Sequence, residues 1–302
     1  MKLGMNLPLV SVLITSFNRD QYIAETIESV LSSTYPNFEV IIADDSSTDN
    51  TLAIASSFAE KDSRVTVFPN SQNLGQWPNR NRAASLAKGK YIKYVDSDDK
   101  IFPWSLQYCV DMMEKYPGAG MGIIYLKDAI EDEYLQPIDT IQKNFFHSTI
   151  LNVGPVGTIL RNDSFTKVGL YDTEYGVPSD MYFNIKMASN FPVVLLKEDF
   201  FFYRMHETQE LNNNYSYLMH NFRYLRDALN LPQVLLNASQ KKYLLRRQCY
   251  WHVRSLLVYF KDTRALKKTW DIVQLSGVTV SGYLRGVIDV VVVKLKLKKD
   301  FN

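Results

Sequence analysis

Apolar and polar positions alternate along the first hundred residues with two different periods. Val10–Thr15 is an unbroken, largely β-branched run that ends in Ser16-Phe17-Asn18-Arg19, the pattern of a buried strand running into a loop. Ile23, Ile27, Val30 and Leu31 then recur at helical spacing. Tyr35-Pro36-Asn37 breaks that helix. Phe38–Ala43 reads as a second buried strand, ending in Asp44-Asp45-Ser46-Ser47-Thr48-Asp49. A helix over about residues 50–60 and a third strand at Val65–Phe68 follow. After a turn at Asn73-Leu74-Gly75 comes a helix over 77–87, with Pro78 confined to its first turn. Tyr91–Val95 is a fourth strand, ending in Asp96-Ser97-Asp98-Asp99, and Pro103 suits the first turn of a helix reaching about Tyr116.

Four strand–helix alternations predict a mostly parallel α/β sheet with helices on both faces. Right-handed crossovers bring the carboxyl ends of such strands to one edge, where ligands bind. The polar clusters Thr15–Arg19, Asp44–Asp49 and Asp96–Asp99 all fall there, so one functional face is expected. Residues 121–210 are less regular. Strands are expected at Gly122–Leu126, Val156–Leu160, Val193–Leu196 and Phe200–Arg204, and a helix over 180–189. From about residue 212 the pattern turns helical and basic.

Composition supports a folded chain. Of 302 residues 46% are hydrophobic and 22% charged, enough for a large core and too few charges for disorder. Cys109 and Cys249 lie far apart without metal-ligand spacing, which fits a reducing compartment and a cytoplasmic location. No signal peptide is expected from residues 1–8, and no run of about 20 apolar residues predicts a spanning helix. The net charge of +2 hides an asymmetry. Residues 1–240 carry 20 Lys and Arg against 28 Asp and Glu, whereas residues 241–302 carry 14 against 4. The acidic body thus bears a basic end, either a solvated helical face or a surface that meets something anionic.

Hard divalent cations such as Mg or Mn take oxygen ligands, commonly one or two carboxylates plus substrate phosphates. Asp96-Ser97-Asp98-Asp99, aimed by an apolar strand, suits such an ion. One acidic turn alone reads equally as a helix cap. Three polar clusters on one edge shift the reading to a cation and a diphosphate leaving group. A carboxylate at Asp44-Asp45 can accept from a nucleobase N–H or a ribose hydroxyl, or cap the next helix. Asp49 reads as a cap or loop residue. Pro178-Ser179-Asp180 places a carboxylate at a helix start, where it is electrostatically favoured in any case. Arg204 and His206, after an aromatic strand, could contact phosphate or metal.

These motifs together resemble the family 2 glycosyltransferases of the GT-A fold. The matching residues are Val10–Arg19, Asp44–Thr51, Asn73-Leu74-Gly75, Gly89-Lys90-Tyr91-Ile92 and Asp96–Asp99, in the order and spacing of the family. The resemblance is specific over about residues 8–105, looser over 106–210 and absent beyond. It implies a GT-A catalytic domain over 1–211, with a nucleotide-binding half (1–105) and an acceptor half (106–211), and a helical basic region over 212–302. Carried over residue by residue, Thr15 and Phe17 would line the base pocket, with Arg19 beside the donor. Asp45 would contact the nucleobase, most simply uracil. Asp96 would hold ribose or the metal-bound donor, and Asp98 looks like the metal-binding member of the DxD motif. Asp180 matches the catalytic carboxylate of the family's ED motif, with Ser179 in place of the usual Glu. Arg204 and His206 resemble the later basic motif near the diphosphate, with His206 as a further metal ligand.

The implied enzyme is a metal-dependent, inverting transferase. It moves a sugar from a nucleotide-diphosphate donor to a hydroxyl of a glycan or lipid-linked acceptor, without nucleic acid as a partner. Arg246–Trp251 does not match the Gln-x-x-Arg-Trp motif of processive synthases, so single-sugar transfer is favoured. A catalytically silent nucleotide-sugar-binding protein is the main rival, kept open by Ser179-Asp180. A nucleotidyltransferase should show a Gly-rich loop after the first strand, and Ser16–Arg19 contains no Gly. Finally, Val280, Leu284, Val287, Ile288, Val291 and Leu295 form one helical stripe, with Arg285, Lys294, Lys296, Lys298 and Lys299 around it. Such a segment, within 277–302, can lie in a membrane interface at the inner leaflet. Alternatively it is a strand or helix packed on the catalytic domain, since Lys294–Lys298 also alternates with period two.

Overall fold

The computed structural model describes residues 7–126, 133–206 and 214–299, with 133, 214 and 293–299 described for their backbone alone. The chain divides into two compact units. The first comprises Met1–Thr173 and Phe183–Met205, the second Glu174–Tyr182 and His206–Asn302.

In the first unit the expected alternation forms β1 (Val10–Ser16), α1 (Ile23–Leu31), β2 (Phe38–Asp44), α2 (Thr51–Ala59), β3 (Val65–Pro69), α3 (Gln76–Ser85) and β4 (Tyr91–Asp96). There follow β5 (Lys100–Ile101), α4 (Ser105–Lys115), β6 (Met121–Ile124), β7 (Glu133–Leu135), α5 (Pro137–Phe146), β8 (Thr158–Arg161) and α6 (Asn162–Val168). Then come α7 (Ser179–Asn190), which begins in the second unit, β9 (Val193–Leu196) and β10 (Phe201–Phe202). Among the described residues one sheet of eight strands runs β3-β2-β1-β4-β8-β6-β9-β7. Its first four strands are mutually parallel, with Leu13 beside both Ile41 and Tyr94. The inserted β8 is antiparallel to β4 and β6. The central strands are mostly apolar because both pleat faces are covered, and the buried exceptions are hydrogen-bonded, Ser11 to Glu39 and Lys93 to the Tyr94 and Val156 carbonyls. Val10, Val12 and Ile14 belong to one core cluster with Ile23, Ile27, Leu106 and Met113. On the other pleat face, Tyr94 donates its hydroxyl to the Arg80 carbonyl of α3 and meets the Tyr171 ring edge-on. This is the α/β architecture expected.

Short elements escape periodicity. β5 and β7 are two and three residues long, too short to show a repeat. Pro155–Gly157 is a single 3₁₀ turn, so the strand expected from Val156 begins only at Thr158. The aromatic strand expected over 200–204 pairs only at Phe201 and Phe202.

The second unit contains α8 (Asn214–His220), α9 (Arg223–Leu229), α10 (Ala238–Thr263), α11 (Leu266–Leu275) and α12 (Val280–Lys299). Asn237 and Gln240 form a reciprocal capping box at the start of α10. Leu218, Leu256 and Ile272 form its apolar core. The buried His252 ring joins Asn221 Oδ1 at 2.7 Å to the Tyr283 hydroxyl at 2.8 Å. The period-two stretch after residue 293 continues α12 as a helix, and the side chains of Leu295 and of the lysines around it lie outside those described. No single helix among the described residues is long and apolar enough to cross a membrane.

Candidate functional site

Parallel pairing of β1 with β2 and β4 brings Ser16, Asp44 and Asp96 to one edge of the first unit. Thr15, next to last in β1, lies beside both Ala43 and Asp96, and Phe17 follows the strand with 43% of its surface exposed. A large aromatic side chain left open at a strand end is available to a flat ligand. Asn18 and Ser46 both take left-handed backbone, with φ of 51° and 65°. They knit the two loops together. Asn18 Oδ1 accepts from the Thr48 amide at 2.8 Å, and the Asn18 amide donates to Ser47 Oγ at 3.0 Å.

The two acidic residues after β2 divide their work. Asp44 accepts from Ser16 Oγ, Ser47 N and Ser47 Oγ, which ties the loop to its own strand. Asp45 is only 3% exposed, and it binds the Asn73–Gly75 turn. Its Oδ1 accepts from the Leu74 amide at 2.8 Å and from Asn70 Nδ2 at 2.6 Å, and its Oδ2 from the Gly75 amide at 2.9 Å. Gly75 sits at φ +88°, where a side chain would strain the backbone. A carboxylate offers about four acceptor positions, so Asp45 Oδ2 retains capacity toward a ligand while holding this turn.

Two of the three carboxylates at the end of β4 and in the turn after it meet a guanidinium. Arg19 Nε donates to Asp98 Oδ2 at 3.0 Å, and the buried Arg80 of α3 pairs with Asp96 Oδ1. Arg80 also stacks over Trp77, with its Cζ 5.1 Å from the ring centre. Arg204 reaches the same turn. Its amide donates to Asp99 Oδ1 at 3.0 Å, its Nε to the Asp98 carbonyl at 2.9 Å, and its terminal nitrogen to Glu25 at 2.8 Å. Thr26 Oγ1 contacts the carbonyls of Ser97 and Asp99, fixing the turn to α1. Burial first, and the Asp96 carboxylate second, push Asp99 up to about 7, while its Oδ2 has no hydrogen-bond partner. The turn therefore keeps carboxylate oxygen beyond what its arginines engage.

That surplus, and the hard-oxygen chemistry of the donor set, suit a divalent cation. Asp98 and Asp96 would hold it, and each uses only part of its acceptor capacity on arginine. Among the described residues no group of three or more His, Cys, Asp or Glu side chains could hold a metal ion alone. Phosphate oxygens of a bound ligand would have to complete the coordination shell.

Thr15, Phe17, Arg19, Asp45, Asp96, Asp98 and Arg204 are thus all in the first unit, and the strand ends, Asn18 and Arg204 connect them. Asp180 and His206 belong to the second unit. Asp180 lies in the first turn of α7, its Oδ1 2.7 Å from the Met181 amide. Its negative charge contributes, after burial, to the raised pKa of Tyr217. The loop before it is anchored within the same unit, Tyr175 to Asp227 at 3.2 Å and Glu174 to Arg223 at 2.6 Å. Two neighbouring carboxylates are held in ion pairs, Glu174 with Arg223 and Asp172 with Lys186.

Sequence reasoning missed Arg80 and Asn70. The signal for Arg80 was a polar run, Asn79-Arg80-Asn81-Arg82, in a helix that must pack on a sheet: a buried arginine there needs a carboxylate. Asn70, beyond β3, joins Asp45 to Asn79 and carries no local pattern.

Comparison with known proteins bears on the fold and on the family. Staphylococcus aureus TarS 1–349, solved in complex with UDP-GlcNAc, shares the fold at a TM-score of 0.68 and 22% identity, covering 88% of this chain and 79% of that one. The mannosyltransferase PcManGT from Pyrobaculum calidifontis, solved in complex with GDP-Man and Mn2+, aligns at 0.63 and 15% identity, covering 97% and 83%. An Escherichia coli relative, the UDP-Glc:alpha-D-GlcNAc-diphosphoundecaprenol beta-1,3-glucosyltransferase WfaP, is 47% identical over 91 residues, 30% of this chain and 36% of its own. The matches to the first curated relatives span only 30–40% of their length. The family model described as Glycosyl transferase family 2 matches residues 11–167, which include the loops after β1 and β2 and the acidic turn after β4. More than half of the chain lies within that match, and the chain belongs to glycosyl transferase family 2.

Proposed function

We propose that this protein transfers a single sugar from a nucleotide-diphosphate sugar, with uridine as the nucleoside, to a hydroxyl of a glycan or lipid-linked acceptor in polysaccharide biosynthesis. One observation carries the reading: an exposed aromatic, a turn-holding carboxylate and an arginine-flanked acidic turn share one edge of a parallel sheet. TarS was solved with UDP-GlcNAc and WfaP is named for UDP-Glc, which supports uridine here, while PcManGT was solved with GDP-Man and Mn2+, which supports the metal and not the base.

In this reading Phe17 and Thr15 line the base, and Asp45 fixes the turn that borders it while offering Oδ2 to the base or ribose. Arg19 and Arg204 orient the diphosphate and hold Asp98 and Asp99 in place. Asp98, with Asp96, would hold Mg or Mn, which supplies charge neutralisation of the departing diphosphate. Asp180 acts as the general base. The acceptor oxygen attacks C1 of the sugar, the C1–oxygen bond to the diphosphate breaks, and the acceptor proton passes to Asp180. One displacement inverts the anomeric centre without a covalent enzyme intermediate. Residues 1–105 would serve the donor and residues 106–211 the acceptor.

Ser179, standing where the family motif has Glu, favours a second reading in which the protein binds the nucleotide sugar without turning it over. A panel of nucleotide sugars, assayed with Mg or Mn and with chelator, separates the two. Release of nucleoside diphosphate that requires both acceptor and metal supports transfer. Donor binding with neither transfer nor hydrolysis supports the silent protein.

A further inference from the structure

Helix α12 leaves much of its apolar surface uncovered. Toward α10 it turns Tyr283, which reaches His252, Asp289, which accepts from Arg246 at 2.9 Å, and two glycines. A Cβ on Gly286 would stand 2.6 Å from Val253 Cγ2, and one on Gly282 would lie 3.6 Å from Cys249 Sγ. At Gly286 only glycine lets the helices approach so closely. Val290 is buried, but most of the other large apolar residues are not: Val280 is 79% exposed, Leu284 64% and Ile288 61%, with Val287, Val291 and Val292 also exposed. In α11 Leu266, Trp270 and Leu275 are exposed as well. Burial of large apolar side chains is the dominant favourable term in folding. Two consecutive helices that forgo it leave a patch of the kind that marks an interaction surface.

Charge identifies the occupant. Residues 241–302 carry 14 Lys and Arg against 4 Asp and Glu. Exposed Arg264, Lys267, Lys268 and Arg285 are interspersed with these apolar positions. Between α10 and α12 a groove lined by Tyr243, Arg246, Arg247, Tyr250, Asp289 and Val292 adds the Arg247 guanidinium, Arg246 being paired there with Asp289 at 2.9 Å. A second copy of this chain would bring like charge to like charge, whereas an anionic bilayer offers both partners at once. Its acyl boundary takes Leu, Val and Ile, and its headgroups take the arginines and lysines. Trp270 suits the interface between the two. The pair α11 and α12 bends by 115° at the break between them. A pair so bent, with Arg285 and Asp289 in its second helix, suits lying in the interface plane.

We propose that the α11–α12 face docks the protein on an anionic lipid surface, lying in the interface without crossing it. This stands independently of the transfer reaction. The test is co-sedimentation of the full chain with vesicles of phosphatidylcholine alone and of phosphatidylcholine mixed with phosphatidylglycerol, at low and high salt. Alongside it, Trp270 fluorescence is read for quenching by brominated lipid. Binding should require phosphatidylglycerol, weaken with salt and quench Trp270. Leu284→Glu with Ile288→Glu, both at exposed positions, should lower vesicle affinity at least about tenfold. The circular dichroism and the sugar-transfer rate on a soluble acceptor should not change. Trp77, Trp104 and Trp251 still report in Trp270→Phe, so loss of the quenching in that variant assigns it to Trp270, and undiminished quenching would place the contact elsewhere and overturn the proposal. Absence of binding to the mixed vesicles, equal binding by the double variant, or a dimer that the double variant dissolves would each overturn the proposal.

Discussion

Asp45→Asn changes one atom and should nevertheless loosen the turn that borders the candidate donor site. Three donors converge on the Asp45 carboxylate: the Leu74 amide, the Gly75 amide and Asn70 Nδ2. An asparagine side chain has one oxygen to accept them and an amino group that donates. Whichever way it rotates, at least one N–H must face another N–H in a site only 3% exposed. A hydrogen bond to a charged group is worth about 1.5–3 kcal/mol, and a neutral acceptor weakens those that survive. The local loss is therefore about 2–4 kcal/mol, or roughly 30- to 1000-fold in the opening equilibrium. A chain of two units need not unfold in one step, so amide exchange at Leu74 and Gly75 is the direct assay. Both amides should exchange faster by that factor in the ligand-free protein, while amides in β1 change little. Exchange at wild-type rates combined with weaker donor binding would refute the reasoning, because Asp45 would then serve the ligand alone.

Asp98→Ala should abolish the enhancement of donor affinity by Mg or Mn in titration calorimetry, and full activity of that variant with either metal would defeat the assignment. Asp180→Asn keeps shape but loses basicity. Its kcat should fall about 100-fold or more with donor affinity retained, whereas normal turnover would move the base to another carboxylate such as Asp172 or Glu174. Burial holds His252 down at about 4, below its ordinary 6.5. The unfolded chain therefore binds its proton first as pH falls, and stability present above pH 6.5 is lost toward pH 4 by up to about 3 kcal/mol. Urea unfolding of the second unit should show that slope in the wild type and a flatter profile in His252→Gln. Equal slopes would rule out His252 as the source.

Much of the first unit was legible before any coordinates. A strand covered on both faces is predominantly apolar, Ser11 and Lys93 being hydrogen-bonded exceptions here, and polarity resumes where the covered stretch ends. The acidic and polar ends of β1, β2 and β4 were visible as abrupt changes of composition, and parallel topology obliges those ends to share an edge. Elements of two or three residues, such as β5 and β7, have no period to display.

Partners were another matter. Arg19 and Asp98 stand 79 positions apart, and Arg80 and Asp96 face each other from a helix and a strand. Such pairings depend on how the chain closes, and no local pattern encodes them. Asp45 reads as a ligand-binding carboxylate in the sequence, but the folded chain also commits it to the Leu74 and Gly75 amides. The candidate base follows the same logic: contacts group Glu174–Tyr182 with helices after residue 206, a relation with no trace in the intervening sequence. In α12 the stripe of Val280, Leu284 and Ile288 was evident from its spacing alone. Spacing says which side chains share a face, but not whether that face turns inward. That depended on tertiary contacts: Val253 of α10 packs on Gly286 and His252 bonds Tyr283, which leaves Val280, Leu284 and Ile288 outside.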